Sequence, residues 1–427
     1  MYAATTAQTS VADRQSSHAR LMTAESVTEG HPDKVCDQIS DAILDACLAQ
    51  DPQARVAVET LVSGNTVMLA GELSSTARID PVATARQVIR EIGYVDPRLG
   101  FDCAGCFILT SLRGQSADID RGVSGSQAWG ADIDRRVSGS QAWGADIDRV
   151  ASRGQELGAG DQGVFYGFAC DETASRMPAP IHLAHALARR LAAARWDGSL
   201  PWLRPDGKTQ VTLRYDGAGR PVDLASVVLS AQHDEGVDRE TLVRGLVEAV
   251  LHPEVGAWLR PDTRVLINPT GRFVTGGPAA DTGLTGRKLM VDTYGGCARH
   301  GGGAFSGKDA TKVDRTAAYM ARHVAKTLVA AGLASRCEVA LAFAIGQCEP
   351  EMVAVDTFGT GTTDPERLAA AVREVFPLSV SGMIAALQLR RPRFRETASY
   401  GHFGRDGAAF SWERTDRAED LRTACGG

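Results

Sequence analysis

Glu29-Gly30-His31-Pro32-Asp33-Lys34 stands at the start of a helical stretch. Proline suits the first helical position and an acid suits the first turn, so Asp33 alone reads as a helix-dipole acid. His31 and Lys34 do not fit, because cations are disfavoured there, and the misfit points to an anionic ligand. Gly302 to Lys308 has P-loop spacing, but Asp309 stands where a P-loop needs Ser or Thr for Mg²⁺. The run His300–Lys308 (HGGGAFSGK) still offers backbone N–H groups and a cation ahead of a helix, which is a phosphate site on physical grounds. Asp314, three residues after Thr311, reads as a capping-box acid or as a Mg²⁺ ligand, and spacing alone favours the cap. Gly158–Gly163 (GAGDQG) matches a dinucleotide fingerprint literally. A polar segment precedes it and a strand-like run follows, the reverse of the required order, so it reads as a turn.

More cations sit in other loops: Lys208 after Asp206-Gly207, Arg272 beside Phe273, and Arg287-Lys288 shortly after Asp281. Each alone is an ordinary loop residue. Together, in a chain that is acidic overall, they make polyphosphate with Mg²⁺ the economical partner. The balance of 46 Lys+Arg against 52 Asp+Glu, a net charge of −6, argues against nucleic-acid binding by bulk charge. No apolar run approaches the roughly 18 residues of a membrane span. Nine cysteines without a secretory signal imply reduced thiols and a cytoplasmic location. Cys103 and Cys106 form the only CxxC, and without a second pair they read as core thiols.

These residues need elements to hold them. The 427-residue length implies two or three domains. Val35, Ile39, Ala42, Ile43 and Ala46 make one apolar helical stripe, and Val211, Leu213 and Tyr215 alternate as a half-buried strand does. Extended over the chain, this reading gives a recurring unit. The first copy has a strand at Leu21–Val27, a helix from Pro32 to Gln50, a hairpin of Val56–Leu61 and Thr66–Leu73, a helix at Pro81–Ile92 and a strand at Phe101–Thr110. The second has Val164–Cys170, a helix at Ile181–Arg195, a hairpin of Gln210–Tyr215 and Val222–Ala231, a helix at Asp238–Leu251 and a strand at Arg264–Asn268. The third has a strand at Lys288–Tyr294, a helix at Val313–Ala331, a hairpin of Glu338–Ile345 and Met352–Phe358, and a helix at Asp364–Val375 before an irregular end. The expectation is an α/β chain of α+β type, with three similar β-α-β-β-α-β domains and pseudo-threefold symmetry.

The boundaries read as a disordered tail at 1–20, an N-terminal domain at 21–115, a central domain at 157–275, a C-terminal domain at 276–415 and a tail at 416–427. Between the first two domains, 116–156 contains a near-perfect tandem repeat. Ala117–Gly130 and Ala131–Gly144 differ only at Gly122 and Arg136. A unit so short and polar cannot bury a core, so it reads as a duplication inside a tolerant loop.

Gly30–Lys34, Gly158–Gly163, Asn268–Gly277 (NPTGRFVTGG), Gly283–Gly296 (GLTGRKLMVDTYGG) and Gly301–Asp309, in this order, resemble the methionine adenosyltransferase, or S-adenosylmethionine synthetase, family. The resemblance runs from about Met22 to Trp412. It implies that family's fold and the joining of ATP to L-methionine, with tripolyphosphate then cleaved to diphosphate and phosphate. It also implies two Mg²⁺ per site, K⁺, and a homotetramer built as a dimer of dimers, with active sites at the dimer interface. His31 would touch the triphosphate near the breaking bond. Asp33 and Asp314 would hold Mg²⁺, and Glu59 would belong to the K⁺ site. Glu72, Gln115, Asp281 and Lys312 would hold methionine. Asp206, Lys208, Arg272, Phe273, Asp281, Arg287, Lys288, Ala304 and Lys308 would line the ATP site, with His31, Lys208, Arg287 and Lys308 as the catalytic set. The loop at 116–156 would be a mobile lid, longer than is usual in the family. Two other readings are a P-loop phosphotransferase, against which Asp309 counts, and a silent nucleotide-binding partner, against which the full set of charged residues counts.

Overall fold

The computed structural model of the chain describes residues 20–114 and 157–426. The tail before Arg20, Gln115 and the whole tandem repeat lie outside the described residues. The N-terminal segment contributes β1 (Arg20–Val27), α1 (Pro32–Leu48), β2 (Arg55–Ser63), β3 (Thr66–Ser74), α2 (Pro81–Ile92) and β4 (Phe107–Arg113). The central segment contributes β5 (Gly163–Cys170), α3 (Ala179–Trp196), β6 (Leu203–Tyr215), β7 (Pro221–His233), α4 (Arg239–Leu246) and β8 (Arg264–Ile267). The last segment has β9 (Gly283–Leu284), α5 (Leu289–Asp292), α6 (Val313–Ala330), β10 (Arg336–Phe343), β11 (Met352–Asp356), α7 (Pro365–Val375), α8 (Val380–Ala386) and α9 (Ala418–Ala424). No single helix among the described residues is long and apolar enough to cross a membrane.

Local chemistry accounts for the ends of these elements. Asp80 accepts the N–H groups of Val82 and Ala83, Pro81 follows it, and Gly93 at φ 103° stops α2 in a left-handed conformation. Gly64, at φ 56°, turns the β2–β3 hairpin.

The repeat is present, but its leading strands are exchanged. The three sheets have the orders β1-β6-β7-β8, β11-β10-β5 and β4-β3-β2-β9. The strand that opens the first segment therefore joins the sheet of the second. The strand that opens the second joins the sheet of the third, and the strand that opens the third joins the sheet of the first. The exchange is cyclic, as pseudo-threefold symmetry requires. In the first two units the strand after the second helix returns parallel to the hairpin, β3 with β4 and β7 with β8. Burial follows the same interleaving. One continuous core joins the N- and C-terminal segments, and a second core fills the central one.

Three expectations about elements need correction. Lys288–Tyr294 is not a strand. It holds the short helix α5, and the leading strand is the two-residue β9 just before it. A short apolar run does not separate helix from strand by period, and here a turn of helix lies where Asp292 meets the buried Lys34. The strand expected from Phe101 begins at Phe107, because Asp102 takes the N–H groups of Ala104 and Gly105 in a tight turn. That turn buries the thiols of Cys103 and Cys106. The residues from 416 on, read as a tail, include α9, whose Leu421 is buried.

Candidate active site

Asp33, Asp37, Asp41 and Asp45 recur every four residues along α1, on one face of the helix. Like charges at this spacing repel, so each must find a partner, and together they hold three segments, the first two acids sharing one. Asp33 accepts the Leu284 N–H at 3.0 Å and the Lys288 ammonium at 2.5 Å. Asp37 accepts Lys34 at 2.9 Å and the Gly286 N–H at 2.9 Å. Asp41 takes the Arg315 guanidinium in a fork, at 2.7 and 2.8 Å, and the Gly307 N–H at 2.8 Å. Asp45 accepts the backbone N–H groups of Arg393, Phe394 and Arg395. Of these four only Asp33 stands out in the motifs. The four-residue spacing of acids along a buried helix is the signal that would have found the rest.

The first cluster stands at the N-terminus of α1. His31 is the N-cap, with its Nδ1 accepting the Asp33 N–H at 3.2 Å. A neutral ring that accepts at Nδ1 carries its proton on Nε2. Burial, with Lys288, Lys208 and Lys34 nearby, pushes the imidazole pKa down to about 3. His31 is therefore a neutral donor, and the expected clash of a cation with the helix dipole does not arise. Lys34 does not mark a ligand either: it is fully buried between Asp37 and Asp292. For Asp33, burial raises the pKa, but the Lys288 and Leu284 contacts outweigh it and hold it below the usual range. Arg287 stands 3.9 Å from the same carboxylate.

The second cluster is the Gly-rich segment. Its end is clamped to the part of the β2 edge that β9 leaves open, with Val58 N–H donating to Gly307 O and Asp309 N–H to Val56 O, both at 3.0 Å. Gly307 has φ 80°, and a Cβ there would lie 2.0 Å from Val58 O, so only glycine allows this approach. Lys308 pairs with Asp314 at 2.7 Å, and Lys312 pairs with Asp309. Lys312, not Thr311, is the N-cap of α6, so the capping box does not form and Asp314 faces Lys308 instead. Three loop N–H groups are already engaged, Gly302 with His300, Gly307 with Asp41 and Lys308 with the Phe305 carbonyl, so the segment is less open than a bare phosphate cradle.

Gly286 joins the two clusters, since a Cβ on it would come 2.5 Å from the Ala304 methyl. A third group lies across β1. The Val27↔Lys208 register and the Thr28 N–H bond to Gly207 O, 2.9 Å, bring the Glu29–His31 loop beside Asp206 and Lys208. Asp206 is buried. Its Oδ2 accepts the Gly277 N–H at 2.8 Å, while Oδ1 has no partner among the described residues. Burial raises its pKa to about 6, against the pull of Gly277 and Lys208. Asp281 is close enough to Asp206 to add to that rise.

The remaining residues stand apart from this centre. Arg272 is exposed and ion-paired with Glu235, and Phe273 is half-buried beside His233, whose Nε2 accepts its N–H. Glu59 is exposed and Glu72 half-buried on the outer face of the β2–β3–β4 sheet, where Glu72 is in register with Ala57. Gln115 lies outside the described residues. Among the described residues no group of three or more His, Cys, Asp or Glu could hold a metal by itself. Asp33 and Asp314 are hard oxygen donors, each with a lysine at hand. That set suits Mg²⁺, which binds through one or two carboxylates with substrate phosphates filling other positions. Glu59 stands alone, with no other acid beside it to make up a cation site among the described residues.

Three family models match the chain: the S-adenosylmethionine synthetase N-terminal domain over 19–117, the central domain over 156–273 and the C-terminal domain over 275–414. The chain is similar to S-adenosylmethionine synthase 1 of Rhodospirillum rubrum, with 71% identity over 408 residues, 96% of this chain and 99% of that protein. It shares 67% identity with S-adenosylmethionine synthase 1 of Rhodopseudomonas palustris, over 95% of this chain and 98% of that protein. It shares 55% with the S-adenosylmethionine synthase of Desulforudis audaxviator, over 95% and 98%.

Proposed function

The chain belongs to the S-adenosylmethionine synthetase family, and from that premise we infer that it joins L-methionine to ATP to make S-adenosylmethionine. It is a methionine adenosyltransferase. In the reaction we propose, the thioether sulfur attacks the 5′ carbon of ATP and the triphosphate leaves. A thioether has no proton to lose, so the step needs no general base. The barrier lies in alignment and in the charge that develops on the leaving group.

The observation that carries this reading is the pair of lysine–carboxylate couples, Lys288–Asp33 and Lys308–Asp314, on two loops that touch at Gly286 and Ala304. Each couple is a charge-neutral resting state for one half of a metal–polyphosphate unit. When the substrate enters, Lys288 and Lys308 would turn to phosphate oxygens, and the carboxylates of Asp33 and Asp314 would be free to hold cations. His31 donates from Nε2 to an oxygen near the breaking bond, and Lys208 and Arg287 add fixed positive charge. The unpartnered Oδ1 of Asp206 is an acceptor for a nucleoside N–H or O–H, with Phe273 and Arg272 at the outer end of that site. Asp281, Lys312, Glu72 and Gln115 would hold methionine.

The family uses metal ions. Asp33 and Asp314 would hold Mg²⁺, two ions per site, and Glu59 would contribute to a K⁺ site. When bound, these ions neutralise polyphosphate charge. We further propose that the tripolyphosphate is cleaved to diphosphate and phosphate in the same site. The enzyme would work in the cytoplasm as a homo-oligomer, a dimer of dimers, with active sites at the dimer interface. Incubation with ATP, methionine, Mg²⁺ and K⁺ should give S-adenosylmethionine, diphosphate and phosphate by mass analysis. ADP or AMP as the main nucleotide product would overturn the reading.

A further inference from the structure

A cleft of about 460 Å³ lies behind the Glu29–His31 loop, between α3 and the segment from Arg395 to Arg405. No residue of the candidate active site lines it. Three acids and three arginines do, and their pairing is uneven. Glu29 is engaged by Arg195 at 2.8 Å, by the Trp196 indole N–H and by the Tyr400 hydroxyl. Glu91 is engaged by Arg395. That leaves Glu396 as the one acid of the lining not already engaged, against Arg189 and Arg405.

Arg189 donates no hydrogen bond and makes no ion pair among the described residues. Glu254 and Asp406 are the acids whose charge acts on it, and neither forms an ion pair with it. Arg405 spends one nitrogen, Nη1, on the carbonyls of Ser399 and Gly401, at 2.7 and 3.0 Å. Burial lowers the pKa of both guanidiniums, and Arg189 pushes Arg405 further, to about 10. Two like charges held together in a cleft imply a missing anion. A second, independent observation agrees. Ser399 is 8% exposed and lines the same cleft, yet its Oγ has no hydrogen-bond partner among the described residues. A buried hydroxyl normally finds a partner.

We propose that this cleft binds a phosphate-class oxyanion through Arg189, Arg405 and the Ser399 hydroxyl. Guanidinium forks suit phosphate oxygens, and a hydroxyl completes such a site. The proposal does not rest on the assignment of the active site. The anion could be inorganic phosphate or the phosphate of a nucleotide whose base rests on Trp196, which is 58% exposed at the rim.

The test is calorimetric titration of the full chain with inorganic phosphate and, separately, with AMP. The variants are Arg189→Ala and Ser399→Ala, neither of which touches the active site. Arg189→Ala should weaken phosphate binding by about tenfold or more, as loss of a charge-assisted contact does. Ser399→Ala should weaken it too, while its unfolding temperature in phosphate-free buffer does not fall, since the deleted hydroxyl bonds nothing in the protein. If AMP binds and phosphate does not, and both variants weaken AMP, the site stands with a nucleotide as its source. Equal affinities for wild type and both variants would overturn the proposal. So would a Ser399→Ala protein that melts earlier without phosphate, because the hydroxyl would then be structural.

Discussion

A buried imidazole whose Nδ1 accepts a backbone N–H cannot serve as a cation, and this changes what His31 does. Its value to a leaving triphosphate is a fixed N–H dipole, while Lys308 supplies charge. His31→Ala and Lys308→Ala should each lower kcat by about 100-fold, the cost of removing one preorganised donor from a developing anion. Circular dichroism should stay native, and an unchanged kcat in either variant would return that residue to a capping or surface role. Asp206 makes a second prediction. Its folded pKa, about 6, lies above the ordinary 3.8, so the folded state holds a proton more tightly than the unfolded one. The cost of its charge is therefore absent below the ordinary value and complete above pH 6. Asp206→Asn should match wild-type stability near pH 4 and exceed it at pH 8, by about 1–3 kcal/mol. It should also raise KM for ATP, through loss of the orphan acceptor. A variant less stable than wild type at pH 8 would refute this. At this scale the sequence motifs named the residues but not their states. Gly30–Lys34 gave the place of His31, whereas its tautomer depends on the Asp33 N–H, and the burial of Lys34 depends on Asp292, which is remote in sequence.

The order of elements was legible from hydrophobic period and turn residues, and most of the helices and hairpins stand where those signals put them. What period could not reveal is which sheet each leading strand joins, since β1 alternates in the same way whichever neighbour it has. Yet the exchange is what assembles the site. β1 running antiparallel to β6 sets His31 beside Lys208. β9 against β2 sets Arg287 and Lys288 beside Asp33. β5 reaches the Gly-rich segment, where a Cβ on Gly301 would strike the Val164 carbonyl at 1.9 Å. Each part of the candidate site is thus fixed by a strand that has left its own segment. It follows that residues 157–275 expressed alone should lack a cooperative unfolding transition, because the edge of β6 would be unpaired from Lys208 to Tyr215. Attaching residues 20–27 through a flexible linker should restore cooperativity, read by urea denaturation. An isolated central segment that unfolds cooperatively, with protected β6 amides, would show the exchange to be dispensable.

For the whole molecule, the outer face of the β4-β3-β2-β9 sheet carries the open question. Leu61, Met68 and Leu109 lie in one row across three strands, exposed at 37%, 39% and 57%, with Phe107 beside them at 70%. The next rows along the same face carry Glu59 and Glu72. Isolated apolar residues on a surface mean little, but a continuous apolar row flanked by carboxylates reads as an interface. A face that meets its own copy about a twofold axis presents the same row twice. This is how a site that looks incomplete in one chain, with the two glutamates standing away from the lysine–carboxylate couples, would gain them from a second. Composition and motif spacing could not show this, because an outward glutamate on a strand looks like any solvated residue. Leu109→Glu puts a charge at the β4 end of the row without touching the core or any residue assigned to substrate. It should leave circular dichroism native and shift the protein to monomer by sedimentation. Activity at fixed chain concentration should fall by more than about tenfold, the factor a lost assembly imposes when the active state needs two chains. A variant that stays assembled and fully active would place the interface, and the origin of the missing carboxylates, elsewhere on the chain.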